Sequence, residues 1–426
     1  MAAPAATSCA THPKRERVAS CGACGNAVCR ECVVHTGVGI KCRTCTGEKA
    51  PSAKAKARGA ASRGGGGAHR GRPRWLVPAA IGGAVVLVAA VLAWRGGGSD
   101  SADDGSPTAD GATSSFPVER KIDLTGGGNT RIGATLTLPA EGRTPVAAVL
   151  IVPGFGAIDR DAVMVATTPD RSADRLSQDQ NYSRPGTPDN LFKDVSAALV
   201  ALDVATLRYD KRGAGASPLK DDQPLSYDDL VADARAGLDF LGQRIETAKA
   251  PLAIVGADQG GLIAVRLAAT TPKVKAIALV STFGRSLADV IGGDLSRRGE
   301  RGQQESDQLR EVAAKLVAGQ PLPAPDQLLA NLRAVLRPLQ EGYLRAVFAL
   351  DPVAEARAVK VPALLVRGGA DSTTTAADSE RLRGTLPAGT EEIVAADGDH
   401  NLGVNGRRDA GMLSQVARWV VTRATA

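Results

Sequence analysis

The sequence predicts an α/β body, with a mostly parallel sheet covered by helices on both faces, carried behind a small cysteine-rich module. Three observations predict it. From Phe116 onward, short apolar runs alternate with helical stretches. All seven cysteines lie between Cys9 and Cys45, and none occurs in the remaining 381 residues. Between these regions, Trp75–Trp94 runs twenty residues without a charge.

The body is read from its apolar runs. Ala147–Val152, Val204–Tyr209, Leu252–Gly256, Ala276–Ser281, Ala363–Arg367 and Glu391–Ala396 are short and continuous, as expected of strands buried on both faces. Helical patterns such as Tyr227–Arg244 and Gly261–Ala269 separate them. Residues 286–350 interrupt the alternation with leucine- and alanine-rich helices, as an inserted cap does. The domain plan is therefore a module over 1–48, a basic linker over 49–74, a span over 75–94, a Gly/Ser/Asp linker over 95–115 and the body over 116–426.

Charge is divided as unevenly as cysteine. The 426 residues carry a net +7, yet residues 1–74 hold 14 Lys and Arg against 3 Asp and Glu, while the remainder holds 38 against 42. A basic head precedes a slightly acidic body, which speaks against nucleic-acid binding by the whole chain. The head's excess charge lies mostly in a flexible linker with no interleaved aromatic residues for base stacking, so no nucleic-acid partner is expected there either. Aromatics make up 3% of the chain, so leucine, valine and alanine must wall any ligand pocket.

At about 1.5 Å per residue, Trp75–Trp94 spans a hydrocarbon core of roughly 30 Å, with a tryptophan at each end. Arginines and lysines flank its N-terminal side, and Asp100, Asp103, Asp104 and Asp110 follow the other. The positive-inside rule then predicts a single-pass protein of the cell membrane, with a cytoplasmic N-terminus and an extracytoplasmic body. Free thiolates suit the reducing side, which agrees with the cysteine placement.

The metal-ligand candidates fall in pairs two residues apart: Cys9 and His12, Cys21 and Cys24, Cys29 and Cys32, Cys42 and Cys45. Eight ligands suffice for two closed tetrahedral zinc sites of a structural kind, with no open position for catalysis. Such a module points to a protein partner. The run resembles a B-box-type zinc finger, whose interleaved pairing implies Cys9, His12, Cys29 and Cys32 on one zinc. Cys21, Cys24, Cys42 and Cys45 then take the other.

The body resembles the α/β-hydrolase superfamily, most closely its bacterial esterase-like members. Val152-Pro-Gly-Phe-Gly156 followed by Asp159-Arg-Asp161, the run Leu207–Ser217, the stretch Tyr343–Pro352 and the turn Gly368–Asp371 carry the resemblance. In that family a G-x-S-x-G turn exposes a serine nucleophile. Here Gly256 and Gly260 keep the small-residue positions, but Asp258 stands where serine is expected. The remaining partners follow in order: Asp371 after the next-to-last strand, and His400, the body's sole histidine, after the last.

Related families with aspartate at this position are the haloalkane dehalogenases and epoxide hydrolases. That likeness implies Asp258 as nucleophile, His400 as base, Asp371 as its orienting acid and the N–H groups of Phe155 and Gln259 as oxyanion donors. No cofactor is expected in the body, and its expected partner is a small ester, halide or epoxide-type substrate. Two features depart from those families. Gln259 occupies the place of the halide-binding tryptophan, and the cap offers only Tyr343 where a tyrosine pair is required. Two alternatives stay open: a degenerate hydrolase acting as a binding scaffold, with Asp258 as a helix-start residue, and a hydrolase in which Asp258 is a general base through water. Tyr209, Asp210, Lys211 and Arg212 are expected to form a structural turn with buried ion pairs.

Overall fold

The computed structural model describes residues 116–163, 189–219 and 222–426, together with short strand segments within residues 19–42. The chain divides into two compact units, Met1–Asp103 and Asp104–Ala426. In the first, β1 (Ala19–Ser20) pairs antiparallel with β2 (Ala27–Val28), and β3 (Val33–Thr36) pairs antiparallel with β4 (Gly39–Cys42). Cys32 is buried and Cys42 ends β4. Cys9, His12, Cys21, Cys24, Cys29 and Cys45 lie outside the described residues, as does the predicted span over 75–94. Among the described residues no helix is long and apolar enough to cross a membrane, and no group of three or more His, Cys, Asp or Glu residues is arranged to hold a metal.

The second unit is built on one eight-stranded sheet. Its strands are β5 (Pro117–Thr125), β6 (Arg131–Ala140), β7 (Ala147–Val152), β8 (Val204–Tyr209), β9 (Leu252–Ala257), β10 (Val274–Val280), β11 (Ala363–Gly368) and β12 (Glu391–Ala395). Across the sheet the order is β5-β6-β8-β7-β9-β10-β11-β12. The six strands from β8 to β12 run parallel, and β6 is antiparallel to both of its neighbours.

Alternation along the central strands explains how the sheet buries both faces. Ala148, Leu150 and Val152 of β7 join a core with helices α2 (Tyr227–Gln243) and α3 (Gln259–Thr270). Ala147, Val149 and Ile151 face the opposite core, against α1 (Leu191–Val200) and α9 (Ala410–Thr425). Successive strand side chains point to opposite faces, so an unbroken apolar run is what a doubly covered strand requires. The cap over 286–350 comprises α4 (Leu287–Ser296), α5 (Glu300–Val317), three short 3-10 turns and α6 (Glu341–Ala349). Two short helices, α7 (Pro352–Ala356) and α8 (Ala376–Arg383), complete the fold.

Two expectations need correction. The stretch Glu391–Ala396 is not buried on both faces. As β12 it is the sheet edge, with Glu391 and Val394 exposed. The antiparallel pair β5 and β6 was not anticipated, because neither reads as a continuous apolar run. Outermost β5 mixes Val118, Ile122 and Leu124 with Glu119, Arg120 and Lys121, and charge of this kind discourages edge-to-edge pairing.

The turn after β8 is braced by buried ion pairs, as expected for Asp210 and Arg212. Arg160 grips Asp210 with two side-chain bonds of 2.9 and 2.5 Å, and its backbone N–H adds a third at 2.8 Å. Burial raises the Asp210 pKa, but Arg160 and the Ala216 amide overcome it and hold the carboxyl below its ordinary value. Arg212 similarly reaches both oxygens of Asp233 at 2.6 and 2.8 Å. Removing one member strands the other charge in the interior. Arg160→Leu should therefore lower unfolding stability by about 3–5 kcal/mol, read as a shift in the urea midpoint with Arg160→Lys recovering part of it.

Candidate active site

The site forms where β7, β9, β11 and β12 end on the same side of the sheet. Between β9 and α3 the chain turns at Asp258, with φ 52 and ψ −120. A positive φ is strained for a residue with a Cβ and is kept only where its surroundings enforce it. The surroundings here are tight. A Cβ on Gly256 would overlap the Gly260 carbonyl, and one on Gly260 would overlap the Val152 carbonyl. The Asp258 N–H donates to Val280 O at 2.8 Å, and the Gly261 N–H donates to Asp258 O at 3.0 Å.

This turn directs the Asp258 side chain away from α3. Although Asp258 precedes the helix, its carboxylate makes no capping bond to it. Instead Oδ2 accepts the Phe155 N–H at 3.1 Å, from the loop after β7. The helix-start role for Asp258 therefore lacks the hydrogen bond that would define it.

Asp371 sits on the turn after β11, where its Oδ1 accepts the N–H groups of Thr373 and Thr374 at 2.8 and 3.0 Å. Its Oδ2 lies 2.8 Å from His400 Nδ1. The loop after β12 that carries His400 is tied down by Ser281, whose Oγ donates to the His400 carbonyl at 2.6 Å. Asp258, Asp371 and His400 are all buried. A cavity of about 30 Å³ beside them is lined by Gly154, Ile158, Leu191, Phe192, Asp258 and His400 among others, and that is room for a water or two.

The charges explain the state of the imidazole. Burial alone would lower the His400 pKa, but Asp371, Asp258 and Asp294 oppose it and push it up to about 9. Asp294, on cap helix α4, was not foreseen. Its carboxylate accepts Thr373 Oγ1 at 3.1 and 3.2 Å, docking the cap on the turn that carries Asp371, and burial pushes its pKa up. No motif marks it, because its place beside His400 depends on how the cap folds over the sheet.

The structure thus brings together Asp258, Phe155, Asp371 and His400. Gln259 begins α3 as expected, while its side chain bonds to the Tyr343 hydroxyl at 2.8 Å and accepts from Lys211 Nζ at 2.8 Å. Lys211 is a correction to the turn of buried ion pairs. It points into the site whereas Asp210 and Arg212 point away from it, a choice of direction that no spacing in the sequence reveals.

Strand order, elbow and partner positions define the body as an α/β-hydrolase fold. Residues 189–311, which include the elbow, match the family model described as serine aminopeptidase, S33. None of the curated proteins matches the chain. Among solved structures, the esterase domain of a Rhodothermus marinus protein is similar at 17% identity and a TM-score of 0.44, covering 72% of this chain and 99% of that one. An esterase from Pyrococcus furiosus is similar at 15% identity and TM-score 0.45, over 72% and 91% of the two chains. An α/β-hydrolase from Penicillium sp. gives 14% and 0.48, over 72% and 100%. The body has the α/β-hydrolase fold, and the reading of its chemistry rests on its own geometry.

A raised folded-state pKa fixes the sign of one pH effect. Protonated His400 stabilises the fold fully below its unfolded pKa of about 6.5, and this contribution disappears as pH rises toward about 9. An NMR titration of the His400 ring should show a midpoint near 9, and Asp371→Asn should lower it. A wild-type midpoint near 6.5 would contradict the three-carboxylate environment.

Proposed function

We propose that the body is a hydrolase in which Asp258 attacks an electrophilic sp3 carbon of a small, largely apolar substrate. One observation carries this reading: the Asp258 carboxylate, on a strained elbow beside the His400–Asp371 pair, has one oxygen received by the Phe155 N–H. In this reading Oδ1 makes the attack while Oδ2 stays on the Phe155 N–H. An ordinary acyl ester is a poor fit, because carboxylate attack on its carbonyl yields an anhydride.

In the first step Oδ1 bonds to the carbon and the leaving group departs with its electron pair, which leaves an alkyl ester on Asp258. Esterification removes the Asp258 charge, one of three that hold the proton on His400. The ring's proton affinity then falls, and the proton it held passes to solvent along with the leaving group, so His400 is neutral at the stage where a base is needed. His400 next takes a proton from water, and the hydroxide adds to the ester carbonyl. The developing oxyanion is Oδ2, facing the Phe155 N–H. Collapse breaks the C–O bond to the alkyl group, whose oxygen takes the hydroxyl proton of the intermediate and leaves as an alcohol, so the Asp258 carboxylate and the protonated His400 of the resting site are both restored. One oxygen of the regenerated carboxylate comes from water.

The degenerate-scaffold reading has its own support in the neutral-pH imidazolium, since a protonated ring cannot serve as a base. Multiple turnovers in oxygen-18 water distinguish the two. On haloalkane and epoxide panels, the peptide containing Asp258 should gain mass, and His400→Gln should accumulate the alkyl ester. Activity without label would instead support Asp258 as a base through water. No turnover on haloalkanes, epoxides or esters would favour the scaffold. Asp258→Ser should acquire hydrolysis of short acyl esters, because a serine there would meet a ready donor and base.

For the N-terminal part, the proposal is a two-zinc module that binds a protein partner on the cytoplasmic side of a single membrane span, with the body outside. Its support is the paired cysteine spacing, the buried Cys32 and the uncharged run over 75–94. Metal analysis should find about two zinc ions per chain. Protease added to intact cells should digest residues 116–426 and spare the module, whereas a protected body would refute the topology.

A further inference from the structure

Lys211 follows β8 and is buried, a rare place for a lysine. Its Nζ donates to the Gly154 carbonyl at 2.7 Å and to Gln259 Oε1 at 2.8 Å, with the Phe155 ring centre 5.9 Å away. The Gly154 carbonyl and the Phe155 N–H belong to one peptide unit. That unit is planar and trans, so its C=O and N–H point in opposite directions. Gripping the carbonyl therefore sets the direction of the N–H that reaches Asp258 Oδ2. An ammonium on the oxygen also draws density through the peptide and makes its N–H a stronger donor.

The second bond extends the same control. Gln259 follows Asp258 directly, and its Nε2 continues to the Tyr343 hydroxyl on cap helix α6. One ammonium thus ties together the loop after β7, the start of α3 and the cap. Burial lowers the Lys211 pKa to about 8, with the Asp258 charge opposing the shift. A methionine would fill this volume without desolvating a charge. An ion retained at that cost is doing something that packing alone does not require.

The geometry points to Lys211 as a positioning residue that orients and polarises the Gly154–Phe155 peptide, the anion-binding element of the site. Its effect on turnover rests on the nucleophile reading above, whereas its effect on the peptide does not. The groups facing its Nζ are Asp258, Gln259 and the Phe155 ring, with Tyr343 behind Gln259 and His400 across Asp258.

The test reads the peptide itself. The chain has six phenylalanines, so nitrogen-15 labelling of phenylalanine in the full chain gives few amide signals, and Phe155→Leu identifies the one required. In the wild type the Phe155 amide proton should move upfield in a step centred near 8, as Lys211 loses its proton. His400→Gln should keep that step, which separates it from titration of the ring. Lys211→Met should abolish the step and leave the amide upfield throughout, whereas Lys211→Arg should keep it downfield without a step. Turnover should fall about 10²-fold in Lys211→Met, in kcat rather than KM, and recover in part with arginine.

A wild-type Phe155 amide without the step would overturn the proposal. So would an unmoved amide in a folded Lys211→Met chain. The wild-type titration needs no Lys211 variant, so misfolding of one leaves the test decisive. If Asp258 never takes up label yet the amide behaves as stated, the nucleophile reading fails and the role of Lys211 stands.

Discussion

At Asp258 the chain leaves a parallel strand and enters a helix with φ 52, a conformation that costs of order 1–3 kcal/mol at a residue with a side chain. The turn persists because strand and helix pack too closely for any larger residue at Gly256 or Gly260. Its consequence is directional. A carboxylate that would ordinarily lie back on the helix start is aimed at the loop after β7, where the Phe155 N–H receives it. The other parts of the site are arranged around that carboxylate.

Placing a carboxylate there changes the electrostatics from those of a serine site. Asp258, Asp371 and Asp294 together hold the proton on His400 up to about pH 9. Lys211 adds a buried positive charge near Asp258, with its pKa brought down by burial to about 8. These two cations stand among three anions, and Arg297 paired with Asp294 brings the group close to neutral in a setting where an unmatched charge is costly. In the proposed cycle that balance is also what changes, since esterification of Asp258 removes one anion and loosens the proton on its neighbour.

Much of this was legible in residue order. The unbroken apolar runs at Ala147–Val152 and Val204–Tyr209 announce doubly covered strands, because a parallel sheet beneath two helical layers has no polar face. The order of Asp258, Asp371 and His400 anticipated their meeting, since each follows a strand that ends on the same edge of the sheet. Strands β5 and β6 were less visible. Outermost β5 alternates apolar with charged residues, and β6, although almost wholly buried, breaks its apolar positions with Gly133, Thr135, Thr137 and Pro139, so neither stands out as a continuous run. Glu391–Ala396 reads like an interior strand until its place at the sheet edge shows one side unpaired.

Spacing and residue type, which are local properties, thus determined the sheet-forming runs, the chain order of the candidate triad and the replacement of serine by aspartate. Tertiary structure decided the direction of side chains and the company they keep. Asp210, Lys211 and Arg212 are consecutive charged residues, and nothing in their order says that the outer two pair with Arg160 and Asp233 while the middle one turns toward Asp258. Nor does any motif place Asp294 of the cap beside a histidine more than a hundred residues away. Direction at the end of a strand depends on backbone twist and on what packs against it, and both are set only when the whole sheet and its cap have assembled.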